Sequence, residues 1–133
     1  MRFTLVFALL LLISEPAYAE WVEVGGSVEE EPTASTVYVD LDTVVRSGDT
    51  VKVWVLSDFK TTQIEPKPPH MSVKSQREFD CTKQLMRLLA VTAFSGNMGS
   101  GRMVYSSSNF EGQGIILEPG SVTQRLWKVA CKK

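Results

Sequence analysis

Cys81 and Cys131 are the only cysteines in the chain, and a bond between them limits the fold more than any other feature. In an oxidising compartment an even pair of thiols normally closes. The N-terminal segment directs the chain to such a compartment. Arg2 precedes an apolar run at 5–13, the breakers Ser14, Glu15 and Pro16, and the small-x-small triplet Ala17-Tyr18-Ala19. Charge, short apolar core and cleavage site in that order are the layout of a secretory signal peptide. The apolar run is about half as long as a bilayer span needs, so residues 1–19 are expected to be a cleaved leader rather than a retained anchor. Glu20 becomes the first mature residue, and no cysteine stands beside the cleavage site to carry a lipoprotein's acyl chains. Cys81 and Cys131 are therefore expected to form a disulfide. Closing a loop of about fifty residues contributes roughly 4 kcal/mol in the chain-entropy model. A redox pair would favour Cys-x-x-Cys spacing, which is absent.

About 114 residues remain after the leader, enough for one core, so a single domain at 20–133 is expected. The formal net charge is −1. It supplies neither a nucleic-acid footprint nor a polybasic membrane patch.

Alternation predicts a sheet. Trp21-Val22-Glu23-Val24 alternates before Gly25-Gly26, and Thr36-Val37-Tyr38-Val39-Asp40 alternates after the acidic stretch 27–35, which reads as a solvated hairpin loop. Asp42-Thr43-Val44-Val45-Arg46 opens with side chains suited to capping a single helical turn, and Ser47-Gly48-Asp49 is a turn. Residues 51–60 form the clearest strand. Val51, Val53, Val55 and Phe59 share one face, while Trp54 and Leu56 share the other with Lys52, Asp58 and Lys60. Residues 61–71 contain three prolines, which remove ladder donors, and read as a stiff surface connection. Residues 72–81 read as a strand with Val73, Arg77, Phe79 and Cys81 on one face. Residues 85–95 favour a strand leading through a glycine-rich turn into Met103-Val104-Tyr105.

The C-terminus predicts a helix. Pro119-Gly120 breaks the chain, Ser121 and Gln124 have capping-box spacing, and Val122, Leu126, Val129 and Ala130 lie on one stripe extended by Trp127 and Cys131. The expected class is α+β: an antiparallel sheet of about six strands with a C-terminal helix on one face, joined by one disulfide.

Catalytic chemistry finds few candidates. The single histidine, His70, lies in the proline-rich connection and reads as exposed, with no nucleophile motif near it. Gly-x-Ser-x-Gly is absent, and carboxylate pairs cannot be placed across a cleft from spacing alone. Asp40-x-Asp42 resembles the start of a calcium loop, but Val44 and Val45 stand where the next ligand and the turn glycine belong. Zinc-ligand spacing is missing, and the 96–101 glycines lack the lysine and strand-to-helix context of a phosphate loop. No catalytic, metal or cofactor residue is assigned, and the chain is read as non-enzymatic. A surface remains. Lys67, Lys74 and Arg77 lie in or beside one strand, and Trp54 is on a sheet face that the helix leaves free, a plausible protein-binding patch. The competing reading is an ordinary solvated strand, with Arg77 paired internally on the face of Val73 and Phe79.

Several segments carry a family resemblance. They are Trp21-Val22-Glu23-Val24, Thr36-Val37-Tyr38-Val39-Asp40, Asp42-Thr43, Val51-Lys52 with Trp54, Lys74-Ser75-Gln76-Arg77-Glu78-Phe79-Asp80-Cys81, Phe94-Ser95-Gly96, Pro119-Gly120-Ser121 and Leu126-Trp127-Lys128-Val129-Ala130-Cys131. Across nearly the whole mature length the chain resembles the surface-adhesin protein E family of Gram-negative bacteria. The resemblance implies the same sheet and disulfide-joined helix. It also implies adhesion to host matrix and serum proteins such as vitronectin, laminin and plasminogen, through a basic segment corresponding to residues 66–81. The expected function is thus an exported protein-binding domain with an unidentified protein partner, located in the periplasm, secreted, or held at the surface by that partner. The alternative is a periplasmic accessory protein such as an envelope hydrolase inhibitor or stress factor.

Overall fold

The structure is a computed structural model that describes residues 20–26, 34–110, 112 and 114–132. The expected leader, 1–19, and residues 27–33 of the acidic stretch lie outside the described residues.

β-Branched residues at alternate positions build the centre of the sheet. The strands are β1 (Val22–Gly26), β2 (Ser35–Ser47), β3 (Thr50–Gln63), β4 (His70–Asp80), β5 (Leu85–Phe94), β6 (Met103–Ser108) and β7 (Ile115–Ile116), and the helix α1 is Val122–Ala130. Each of the first five strands pairs antiparallel with the next in sequence, and β7 pairs with β5 beside Leu85 and Met86. The expected antiparallel sheet of about six strands with one C-terminal helix is present, its strands ordered as a meander and β7 a short addition.

The ladder sorts side chains onto two faces. Val39, Val55, Ser75 and Val91 stand abreast on one face, as do Val53, Arg77 and Leu88, and Val51, Phe79 and Met86. α1 packs over this face on β1, β2 and β3. Beneath it lie Val37, Val39, Val51, Val53, Val55 and Phe79, and Leu126 and Ala130 of the helix are buried against them. The hydrophobic stripe read from the sequence therefore faces the valine rows, as its helical period requires.

The helix is capped at its start and tied to the sheet at several points. Ser121 Oγ accepts from Gln124 N at 3.1 Å, and the Gln124 side chain accepts in turn from Gly120 N at 2.9 Å, a variant of the reciprocal N-terminal cap. The indole Nε1 of Trp127 donates to Asp80 O at 2.8 Å. Arg46 Nη2 donates to Lys132 O at 2.7 Å, placing a cation at the negative end of the helix dipole. Cys81 and Cys131 are bonded, with an S–S distance of 2.06 Å and Cα atoms 5.6 Å apart.

Two sequence expectations are corrected. Asp42 to Arg46 do not form a helical turn: β2 continues through them with a bulge, the pairing jumping from Asp40–Trp54 to Val45–Lys52. The side-chain oxygens that suggested capping are used inside the bulge. Asp40 Oδ1 accepts from Asp42 N at 3.1 Å, and Thr43 Oγ1 donates to Asp40 O at 2.6 Å while accepting from Trp54 N at 3.0 Å. These bonds satisfy groups that the interrupted ladder leaves free. His70, expected to be exposed, is the first residue of β4 and only 4% exposed. The connection that carries it folds back on the sheet, where its ring meets Phe59 edge-on at 6.1 Å.

Candidate protein-binding face

The face turned away from α1 carries a cleft of about 340 Å³. It is built by neighbouring strands. Asp40 on β2 lies beside Trp54 on β3, Lys74 on β4 beside Thr92 on β5, and Phe94 beside Met103 on β6. Trp21, just before β1, completes the wall, and Thr43 of the bulge the floor. The Thr43 hydroxyl fixes the backbone of Trp54, so the bulge orients the aromatic residue beside it.

Lys74 is the charged centre of this cleft. Its ammonium lies 5.8 Å from the Trp21 ring centroid and 5.1 Å from that of Phe94. Contacts of this geometry contribute about 0.5–1 kcal/mol each at an exposed site. The lysine stem runs against Gly99, where an added Cβ would stand 2.6 Å from Lys74 Cε, and the positive φ of +72° at Gly99 also suits glycine. The turn at Asn97–Gly99 is tied to the sheet through Met98 N to Asp58 Oδ1 at 2.7 Å and Gly99 N to Ser72 Oγ at 2.9 Å. Lys74 is thus confined by two rings and a fixed turn. Farther along this face, burial and then the charges of Glu23 and Asp58 raise the Tyr38 pKa. Among the described residues no group of three or more His, Cys, Asp or Glu is placed to hold a metal ion.

Of the four residues singled out in the sequence, Trp54 and Lys74 line the cleft together. Arg77 is on the opposite face, half-buried, with Nε donating to Ser75 Oγ at 3.0 Å. Burial pulls its pKa down to about 10, and it makes no ion pair among the described residues. Lys67 is exposed in the connection between β3 and β4. Sequence reasoning missed Trp21, Asp40, Thr43, Thr92, Phe94 and Met103 as cleft residues. Alternation of Thr92 with Phe94 was the available signal, whereas the approach of Trp21 depends on the twist of the sheet.

The fold and this face define a disulfide-closed antiparallel meander, one side sealed by its helix and the other bearing an open aromatic cleft. The surface-adhesin protein E pattern matches residues 21–132, and the chain belongs to that family. Haemophilus influenzae protein E is structurally similar, with a TM-score of 0.58 at 12% identity over 87% of this chain and 86% of that one. A second crystal form of it gives 0.56 at 13% identity over 71% and 79%. Protein E from non-typeable Haemophilus influenzae gives 0.53 at 14% identity over 87% and 79%. At these identities the likeness is one of fold. No curated protein matches the sequence. Membership of a surface-adhesin family implies an exported protein, and no helix among the described residues is long and apolar enough to cross a membrane.

Proposed function

We propose that the chain is a non-enzymatic adhesin-type domain that binds a protein partner, from the extracellular matrix or the cell envelope, on its helix-free face. The observation that carries this reading is the cleft itself, where Trp21, Trp54 and Phe94 surround a confined lysine on a face left open by the pinned helix. Aromatic side chains and restrained cations are what binding hot spots are made of, because they bury area at small entropic cost. Family membership supports the same reading.

The test is binding of the oxidised protein to immobilised matrix and envelope proteins at physiological salt, compared with Trp54→Ala and Lys74→Ala. Each substitution is expected to weaken binding about tenfold. Unchanged affinity in both variants would remove this face from the reading, and no binding to any such protein would remove the adhesin assignment.

A further inference from the structure

The face beneath α1 contains a second apolar patch that the helix does not reach. Along β4, Phe79 belongs to the core under the helix, then Arg77 and Ser75 form a polar step, and Val73 begins the second patch. There Glu65 and Pro66 of the 64–69 connection partly cover a half-open cavity of about 250 Å³ beside β4 and β5. Phe59, Val73, Ala93 and Tyr105 form its apolar wall, Pro66 its cover, and His70 its most buried polar contributor.

His70 gives this cavity chemical direction. Its Nδ1 lies 2.9 Å from Pro68 O. A carbonyl oxygen only accepts, so Nδ1 carries the proton and Nε2 of the neutral ring is an acceptor. Nε2 has no partner among the described residues. His70 lines the cavity, and this nitrogen is the polar atom of the ring left to meet a ligand there. The volume lies between the roughly 150 Å³ void that takes up benzene and the roughly 300 Å³ at which drug-sized sites begin. One substituted ring fits that range.

We propose that this cavity is a ligand site for a small single-ring aromatic molecule bearing a hydroxyl, whose ring packs on Phe59, Val73 and Ala93 and whose hydroxyl donates to His70 Nε2. A phenol could come from a free molecule or from a tyrosine side chain; the partial cover by the 64–69 connection favours the free molecule.

Titration of the oxidised protein with 4-methylphenol, toluene and a short tyrosine peptide, followed by NMR, tests this. 4-Methylphenol is expected to shift the His70 imidazole nitrogens and the Val73 and Ala93 methyls, with toluene about tenfold weaker and the peptide weaker still. Ala93→Leu fills the cavity and abolishes the shifts; Val91→Phe does so from the neighbouring position if the first variant fails to fold. His70→Phe makes the two small ligands equivalent. No shift at millimolar 4-methylphenol, equal binding of toluene to the parent, or binding unaffected by either filling variant would overturn the site. A peptide that binds as tightly as 4-methylphenol would overturn the free-molecule source.

Discussion

Arg77 carries a positive charge into the polar step between two apolar patches, where among the described residues the Ser75 hydroxyl meets it. A guanidinium removed from water without a carboxylate costs stability, and a long apolar side chain of similar reach does not. Arg77→Met is expected to raise unfolding stability by about 1–2 kcal/mol in urea denaturation. The folded pKa of about 10 lies well below that of an ordinary guanidinium. The unfolded chain therefore holds the proton longer, and stability rises with pH through that window. The advantage of the variant should accordingly shrink as pH passes 10. Asp80 has the opposite sign. The Thr82 hydroxyl, followed by the backbone N–H groups of Thr82 and Lys83, holds its carboxyl below the usual range. Its contribution is complete above an unfolded pKa of about 3.9 and is lost as pH falls through the folded value. Asp80→Asn should flatten the acid limb of the stability profile. Lys74 and Arg77 were grouped by nearness in the chain, yet residues three apart on a strand point to opposite faces. That separation was legible in the alternation alone.

Among the elements, those whose period matched their burial were legible. Val51, Val53 and Val55 announced β3, and the stripe on α1 announced which way the helix would face. The bulge in β2 was not, because Asp40, Asp42 and Thr43 offer the same side-chain bonds to a helix start as to an interrupted ladder. His70 was misread for a related reason. Three prolines say that a segment is not a central strand, but not that it will close over a sheet. The turn at Asn97–Gly99 is the element on which the cleft depends, since its glycine makes room for Lys74. Gly99→Ala forces a Cβ into the lysine stem at a positive φ and is expected to cost about 1–2 kcal/mol. It should also weaken partner binding by moving the ammonium from between the rings. Thermal melts and the binding assay together check this.

The whole molecule is closed by one long-range tie. The bonded cysteines are 50 residues apart, and Cys131→Ala is expected to lower stability by about 2–4 kcal/mol relative to the oxidised parent. Because the open face contains neither cysteine, binding by the folded variant should survive at low temperature; calorimetry beside the binding assay separates the two effects. The meander has one further consequence. Every strand from β1 to β5 pairs with its successor, so the sheet of β1 to β6 requires only short loop closures and can assemble in the order in which the chain emerges from an export channel. β7 steps back to β5, and α1 returns farther, to its seat on β1, β2 and β3. Sheet assembly thus comes before helix docking, and oxidation of the two thiols marks the arrival of the last segment.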